Sequence, residues 1–336
     1  MIIEGFQHRH AGHCESGVTS SLLSHYGLPL SEPMALGLSG SLTFGHFPFV
    51  KVGGFPLTTY RMPPGSIYGG LKKALGLRMR RERFRDPVAA DAALDRELAA
   101  GRPVGLQTSV YWLPYFPPEM RFHFNAHNLV VYGREGDDYL ISDPVFDQPQ
   151  RCAAADLRKA RFARGVFAPK GLMYYPEQFA RDFDRSRAVQ AGIRKTWKMM
   201  LHTPVPLVGV RAIEGLARRV ENLGSSHPDV RWQRLYVGNI VRMQEEIGTG
   251  GGGFRFMYAA FLQEAGELLV QPALLESAQA MTAVGDQWRR FALTGAQFAR
   301  KKEGVGLGDL AQQLREVAGQ ERAVYEQLKR WSKAQA

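Results

Sequence analysis

Apolar and polar positions follow a short-period pattern in the first half of the chain. Residues 127–133 and 139–142 are two apolar runs separated by a short polar turn, and this arrangement predicts a β-hairpin. Residues 103–108 predict a further buried strand, and residues 86–101 carry the start and stop signals of a helix. The first half is therefore predicted to be an α+β domain, which we place over residues 1–175.

In the second half, apolar positions recur with the helical period. The clearest stripes consist of Trp232, Leu235, Tyr236, Ile240, Met243 and Ile247, then Phe254, Met257, Tyr258, Phe261 and Leu262, then Leu310, Leu314, Val317, Val324, Leu328 and Trp331. These stripes predict an all-α domain over residues 176–336. Residues 40–66 are rich in Gly, Pro and aromatic residues without a clear period, and we expect an irregular wall near the functional site.

The bulk composition is that of a globular protein. The chain has 336 residues, which is enough for two domains that each bury a core. It lacks an apolar run of the ~18 residues that a membrane span requires. Its start lacks the pattern of a secretory signal. The two cysteines, Cys14 and Cys152, are expected to be reduced thiols in a cytoplasmic protein.

The formal net charge of +11 changes this picture by pointing to an anionic partner. The Lys and Arg residues are spread over many predicted helices without a recognisable nucleic-acid motif, so nucleic acid is not the expected partner. An acidic protein partner fits the charge, and simple solubility is the alternative. A basic stretch that includes Arg158, Lys159 and Arg161 links the two predicted domains, and we expect it to frame the mouth of the site and dock that partner.

Cys14 lies at the start of a predicted helix. Val18, Leu22 and Leu23 follow it on one face, and Gly27 supplies the stop signal. In the first helical turn the partial positive charge of the helix favours thiolate over thiol, which suits a nucleophile. The alternative is a buried, inert cysteine, which is the common fate of free cysteines.

The predicted hairpin supplies two groups that could activate such a cysteine. His127 begins its first strand, and Asp143 follows its second strand before Pro144. An imidazole on one strand can reach a carboxylate at the end of the next, which would orient the ring while its other nitrogen takes the proton of the nucleophile. Separately, a core histidine and a turn-forming aspartate are ordinary. Together with Cys14 they predict a cysteine nucleophile with an oriented base. His123 is a second candidate base that lacks a following Asp.

The residues around Cys14 leave other roles open. His8, His10, His13 and Cys14 are four potential metal ligands, but their spacing matches no closed zinc site, and we expect no metal. Gln7 and His13 are candidate donors to an oxyanion. An exposed loop position would explain Gln7 equally well.

A glycine run over residues 248–253 precedes a helix that begins near Phe254. Backbone N–H groups of Gly250 and Gly251, with the charge of Arg255, could hold an anion such as the phosphate of a pantetheine arm. The run lacks the Lys-Ser/Thr ending of a nucleotide-binding loop. A flexible connection between helices is the alternative.

Several of these segments resemble known families. The hairpin from His127 to Pro144 resembles the His and Asp elements of the papain-like bacteriocin-processing peptidases. The segment Gly12-His13-Cys14-Glu15-Ser16, followed by Leu30-Ser31-Glu32, resembles the butirosin biosynthesis protein H family. Residues 246–258 look like the helical domain that accompanies that family. One departure from the peptidases is Glu15, because they carry glycine after the nucleophile.

The resemblance implies a papain-like cysteine-peptidase-type domain with a central antiparallel sheet, and a helical domain that covers the site. It implies an N-acyltransferase that takes an acyl group from an acidic acyl carrier protein onto Cys14 and passes it to a small-molecule amine, with His127 as base and Asp143 as orienter. The setting would be the biosynthesis of a natural product or lipid-like metabolite. No permanently bound cofactor is implied, since the phosphopantetheine arm is part of the substrate. A cysteine peptidase, a thioesterase and a non-catalytic binding module of the same fold remain alternatives.

Overall fold

The computed structural model describes residues 1–178 and 183–335. The chain divides into two compact units. The sheet unit comprises Met1–Ala35 and Ile67–Phe183, and the helical unit comprises Leu36–Ser66 and Asp184–Ala336. This division differs from the predicted boundary at residues 175/176, because residues 36–66 belong with the later helices.

The helices and strands follow one another along the chain in a mixed order. The strands of the described residues are β1 (Leu42–Val52), β2 (Phe55–Arg61), β3 (Arg78–Glu82), β4 (Val104–Thr108), β5 (His127–Glu135), β6 (Asp138–Ser142), β7 (Gln150–Ala153) and β8 (Met173–Gln178). The helices are α1 (Cys14–His25), α2 (Glu32–Ser39), α3 (Ser66–Ala74), α4 (Pro87–Ala99), α5 (Ala154–Arg161), α6 (Arg185–His202), α7 (Val210–Glu221), α8 (Leu223–Ser226), α9 (Val230–Glu245), α10 (Arg255–Leu269), α11 (Pro272–Ala299) and α12 (Leu307–Ala334).

The sheet unit is built on six antiparallel strands in the order β3-β8-β4-β5-β6-β7. The predicted hairpin is confirmed as β5 and β6, in which Val130 pairs with Ser142. In the next pair of strands, Thr108 lies opposite His127. Two candidate residues, His127 and Asp143, are therefore carried by adjacent strand ends of one sheet.

The core of the sheet unit lies between this sheet and its helices. Leu106, Leu129 and Ile141 are fully buried, and Leu94 of α4 joins them. Burying an aliphatic side chain of this size contributes about 1.5–3 kcal/mol to folding. The predicted helix over residues 86–101 is confirmed as α4, because Asp86 caps it by accepting hydrogen bonds from the backbone at its first turn.

The helical unit holds the long helices of the second half, with α12 in contact with α6, α7 and α11. Its core includes Phe261, Trp288 and Leu328, which are fully buried. The predicted stripes are largely buried, but Leu235 is exposed. The unit also contains the hairpin β1-β2, so the prediction of an irregular segment over residues 40–66 is wrong and the unit is not purely α-helical.

The predicted fold class is confirmed: an α+β unit with an antiparallel sheet accompanies a unit dominated by helices. Within the described residues, no helix combines the length and apolar character needed to cross a membrane.

Candidate active site

Cys14 is the first residue of α1, and its side chain is half-buried. His13 caps the helix in extended backbone conformation, and its side chain accepts a hydrogen bond from the backbone N–H of Ser16. The predicted position of the thiol in the first helical turn is thus confirmed. The partial positive charge of that turn favours the anionic form of the sulfur.

A half-buried carboxylate holds the loop that leads into Cys14. Glu32 accepts hydrogen bonds from the backbone N–H groups of Gly12 and His13 at 2.9 and 2.8 Å. It also accepts one from the Ser16 hydroxyl at 2.8 Å. Burial raises the pKa of Glu32, while these hydrogen bonds act in the opposite direction. Glu32 therefore holds the backbone before the thiol and the side chain of Ser16 after it.

Glu15 explains the departure from the Cys-Gly pattern of the peptidases. Its carboxylate is buried and accepts hydrogen bonds from the backbone N–H groups of Ile67 and Tyr68 at 2.9 and 3.4 Å. Those N–H groups belong to the first turn of α3, where unsatisfied donors attract an anionic side chain. The residue after Cys14 thus ties α1 to α3.

Close packing brings the turn after β6 against α1. A Cβ atom at Gly17 would lie 2.6 Å from the Cβ of Ala11 and 3.0 Å from the Cβ of Pro144, so only glycine fits there without movement. The backbone N–H of Ala11 donates to the carbonyl of Pro144 at 2.9 Å. This approach sets Asp143, which precedes Pro144, beside the helix that begins with Cys14.

His127 and Asp143 form a buried pair. The Nε2 atom of His127 lies 2.7 Å from Oδ2 of Asp143, and both side chains are almost fully enclosed. Asp143 also accepts hydrogen bonds from the Tyr115 hydroxyl at 2.9 Å and from the backbone N–H of Val145 at 3.1 Å. The carboxylate is therefore held from three sides.

The imidazole of His127 also has the thiol of Cys14 as a hydrogen-bond partner. Burial lowers the pKa of His127, but the charge of Asp143, its hydrogen bond and the contact with Cys14 outweigh this effect and raise the pKa to about 10. Because Nε2 faces Asp143, Nδ1 is the nitrogen left for the sulfur. The three predicted residues are thus brought together around one imidazole.

Asn128 is a neighbour of Cys14 that sequence reasoning missed. Its Nδ2 atom lies 3.9 Å from Cys14 Sγ, and its Oδ1 atom accepts a hydrogen bond from the Tyr174 hydroxyl at 2.8 Å. The only signal in the sequence is its position directly after His127, where a polar residue interrupts an otherwise apolar strand.

The other residues predicted near Cys14 have different surroundings. Gln7 is exposed, and its role as an oxyanion donor stays a prediction. His13 is buried, and its Nδ1 atom lies 2.9 Å from the Ser16 hydroxyl, so at least this nitrogen serves the helix cap. His123 is exposed and stacks on Tyr111, whereas Asp143 pairs with His127.

The potential metal ligands His8 and His10 have other neighbours. The two ring nitrogens of His8 lie 2.8 Å from the Ser142 hydroxyl and 2.9 Å from the carbonyl of Phe146. His10 lies beside the exposed Asp147 at 3.9 Å. In the part of the chain that the structure describes, no group of three His, Cys, Asp or Glu side chains is arranged to hold a metal ion.

The expected docking surface at Arg158, Lys159 and Arg161 needs correction. Arg161 is fully buried and donates to Asp91 at 3.0 Å and to the carbonyl of Ala90 at 3.2 Å. Arg158 donates to the same Asp91 carboxylate at 2.7 Å. Lys159 pairs with Asp156 at 2.9 Å. Arg158 and Lys159 are thus exposed members of ion pairs, and Arg161 is buried and cannot reach a partner.

The expected anion site at Gly250, Gly251 and Arg255 also needs correction, because the guanidinium of Arg255 is not available to an anionic ligand. Arg255 is fully buried and donates to both carboxylate oxygens of Glu321, at 2.8 and 3.1 Å. The backbone N–H of Gly251 donates to the Thr249 hydroxyl at 3.1 Å. Further along the run, a Cβ atom at Gly253 would lie 2.3 Å from the ring of Tyr60, which gives that glycine a packing reason.

Comparisons with known proteins match two successive segments of the chain. Residues 13–144 match the family model described as "Butirosin biosynthesis protein H, N-terminal". Residues 155–328 match the model described as "Domain of unknown function (DUF4872)". No curated protein matches the chain.

Among solved structures, the chain is similar to a putative C39-like peptidase from Bacillus anthracis. The sequence identity is 14% and the TM-score is 0.38. The similarity covers 53% of this chain and 98% of that one.

Proposed function

Because the chain belongs to the butirosin biosynthesis protein H family, with that family's N-terminal domain followed by a DUF4872 domain, we propose that it is a cysteine-dependent N-acyltransferase of a biosynthetic pathway. The observation that carries the proposal is that His127 contacts both Cys14 and Asp143. A buried imidazole between a thiol and a carboxylate is the arrangement that activates a cysteine nucleophile.

In the resting enzyme, the proton shared by Cys14 and His127 would lie on the imidazole. The pKa of His127 is raised to about 10 against the penalty of burial, chiefly by the charge of Asp143. At neutral pH the ring would then be protonated, and in the proposed mechanism Cys14 reacts as the thiolate. The positive end of α1 stabilises the same charge. Such an ion pair needs no further base to begin the reaction.

In the first step, the Cys14 thiolate attacks the carbonyl carbon of an acyl thioester. A bond forms between Cys14 Sγ and the acyl carbon, and the bond from that carbon to the pantetheine sulfur breaks. The imidazolium of His127 gives its proton to the departing sulfur. The products are an acyl-enzyme, a free pantetheine thiol and a neutral imidazole.

In the second step, an amine attacks the acyl-enzyme. His127, now neutral, takes one proton from the nitrogen as the new C–N bond forms, and Cys14 leaves as thiolate. The resting ion pair is restored and the product is an amide. Asp143 keeps the ring oriented through both steps, since its Oδ2 atom holds Nε2.

The donor would be bound to an acidic acyl carrier protein. Exposed cations at the end of α3, on β3 and in the segment that follows β3 are available to such a partner. This α3–β3 basic surface consists of Lys72, Lys73, Arg81, Arg83 and Arg85. Nearby acidic groups are engaged elsewhere, because Glu82 pairs with Arg80 and Asp86 caps α4. Charge complementarity of this kind speeds the encounter with an oppositely charged protein.

The test is intact-protein mass spectrometry after incubation with a series of acyl-pantetheine thioesters. Wild type should gain the acyl mass, and Cys14→Ala should gain none. Cys152→Ala is the matched control and should still be labelled, because Cys152 is buried and burial raises the pKa of its thiol to about 12. A label on Cys152 would contradict the assignment.

The same experiment separates transfer from hydrolysis. When a set of primary amines is added to the isolated acyl-enzyme, an amide should form faster than the free acid. Release mainly as the acid would identify a thioesterase instead. Absence of any adduct from every thioester, with peptide cleavage by the same thiol, would identify a peptidase.

A further inference from the structure

The side chain of Asn128 reaches the sulfur of Cys14 from a different strand position than His127. Its Nδ2 atom lies 3.9 Å from Sγ, which is within the longer range of hydrogen bonds to sulfur. Asn128 is 7% exposed, so the amide has little water to bond instead. An enclosed amide group of this kind is expected to satisfy its hydrogen bonds within the protein.

The orientation of the amide is fixed by two partners. Nδ2 donates to the carbonyl of Ala126 at 3.0 Å, and a carbonyl can only accept. Oδ1 accepts from the Tyr174 hydroxyl at 2.8 Å. The NH₂ end therefore faces both Ala126 and Cys14, with one hydrogen available for each.

Tyr174 is itself held firmly. It lies on β8, is buried, and its ring meets that of Tyr68 edge-on at 5.0 Å. A Cβ atom at Gly105 would lie 2.6 Å from the Tyr174 ring, so the ring depends on a glycine across the sheet. Burial, followed by the charges of Glu15 and Cys14, raises the pKa of Tyr174 well above its ordinary value, so the hydroxyl remains a donor.

We propose that the Asn128 amide donates a hydrogen bond to the Cys14 thiolate, and that Tyr174 is a positioning residue that aims this amide. A donor aimed at a developing anion stabilises the charged sulfur more than the neutral thiol, because charge-assisted hydrogen bonds are the stronger ones. Asn128 would thus add a third source of stabilisation to the helix terminus and the imidazolium. The inference rests on the proposed role of Cys14 as nucleophile.

The test uses the rate of alkylation of the full-length chain by iodoacetamide as a function of pH, which reports the pKa of the Cys14 thiol without any substrate. Asn128→Leu keeps the approximate volume and removes the donor. The apparent pKa should rise by about one unit, and the rate below that pKa should fall about tenfold. Asn128→Asp should raise it further, since a carboxylate faces the thiolate. Tyr174→Phe should give a smaller rise.

Tyr139→Phe is the matched control. The Tyr139 hydroxyl donates to Asp95 at 2.9 Å from the same sheet, so this variant loses a comparable bond away from the thiol. Its alkylation profile should coincide with that of wild type. Profiles of Asn128→Leu and Tyr174→Phe that also coincide with wild type, in proteins with unchanged circular dichroism, would overturn the inference.

Folding failure and failure of the proposed function are distinguishable outcomes. If Asn128→Leu does not fold, Tyr174→Phe decides, since it leaves the amide in place and removes only the hydroxyl. A reactive Cys14 in wild type with no effect of these variants would refute the role of Asn128 alone. A wild-type profile like that of an ordinary thiol would refute the nucleophile and this inference together.

Discussion

Two enclosed pairs of oppositely charged groups, Arg255–Glu321 in the helical unit and His127–Asp143 in the sheet unit, have different surroundings. In the helical unit, Arg255 donates to both oxygens of Glu321 and to the carbonyls of Gly253 and Thr43. Glu321 also accepts a hydrogen bond from the Trp288 indole at 2.7 Å. These bonds turn the charged groups toward the interior of the helical unit.

In the sheet unit, His127 bonds to Asp143 on one side and to a thiol on the other. That thiol, Cys14, is half-buried, whereas Arg255 and Glu321 are completely enclosed. The Arg255–Glu321 pair, whose hydrogen bonds all lie within the helical unit, stabilises the fold. The His127–Asp143 pair contacts an accessible thiol and can therefore take part in a reaction. The glycine run and Arg255 suggested a ligand site in the sequence, but their bonds are internal.

The largest expected effect comes from breaking the sheet-unit pair. Asp143→Asn should lower the single-turnover rate of Cys14 acylation by about 10³–10⁴-fold, because an amide neither stabilises the imidazolium nor keeps the required tautomer. Asp95→Asn is the control, since Asp95 is a carboxylate of the same unit that bonds to Arg134 and Tyr139. An acylation rate of Asp143→Asn within tenfold of wild type would contradict a catalytic role for the His127–Asp143 pair.

The helical-unit pair should respond in stability instead. Arg255→Met leaves Glu321 buried and uncompensated, so the free energy of unfolding should fall by about 3–5 kcal/mol in urea titrations. The double variant Arg255→Met/Glu321→Met should recover much of that loss, because it removes both charges. Acylation of Cys14 in the folded protein should not change. If Arg255→Met had wild-type stability but lost acyl transfer, Arg255 would instead bind an anionic group of the substrate.

A change of pH should weaken only the pair in the sheet unit. The folded-state pKa of His127 is raised from 6.5 to about 10, so its contribution to stability is fully present below about pH 6.5 and is lost as pH rises through about 10. The loss should be on the order of a few kcal/mol. Urea midpoints measured from pH 6 to 10.5 should show it as a difference between wild type and His127→Gln. Parallel curves would contradict the raised pKa.

Exposed charges should have the smallest effect, and only on one kind of donor. Lys72→Glu/Lys73→Glu/Arg81→Glu should lower kcat/KM with an acyl donor on a carrier protein about tenfold at low salt, since surface charges act mainly on association. Turnover of a free acyl-pantetheine thioester should not change. The control Arg300→Glu/Lys301→Glu/Lys302→Glu has the same charge change in the helical unit and should retain activity with both donors. An equal loss of kcat/KM in the two triple variants would mean that the effect depends on net charge and not on the α3–β3 basic surface.

The local features of the fold could be predicted from the sequence because neighbouring residues determine them. The hairpin β5-β6, the start of α1 at Cys14 and the capped α4 follow from period, caps and turn residues. The hairpin β1-β2 could not be read in this way. Its register shifts between Leu42 and Gly45 and again between Phe47 and Lys51, and β1 lacks the alternation of buried and exposed positions that identifies a strand.

The reactive groups of the site could be predicted from the sequence, but the tertiary ion pairs of the charged residues could not. Cys14, His127 and Asp143 are residue types with few other reasons to occur in that arrangement. The counter-ion of Arg161 is Asp91, and that of Arg255 is Glu321, each far away in sequence. A basic residue looks the same in a sequence whether it is exposed or neutralised, so tertiary pairing had to be seen.

The carboxylates of Glu15 and Glu32 limit how far this site can be copied. They clamp the residues on both sides of Cys14 to α3 and to the start of α2. Grafting the five residues from Gly12 to Ser16 onto another scaffold would transfer the thiol without the groups that fix its position. A minimal portable unit would have to include Glu32 and the first turn of α3 as well as His127 and Asp143, so the position of this cysteine depends on three helix starts and not on a short motif.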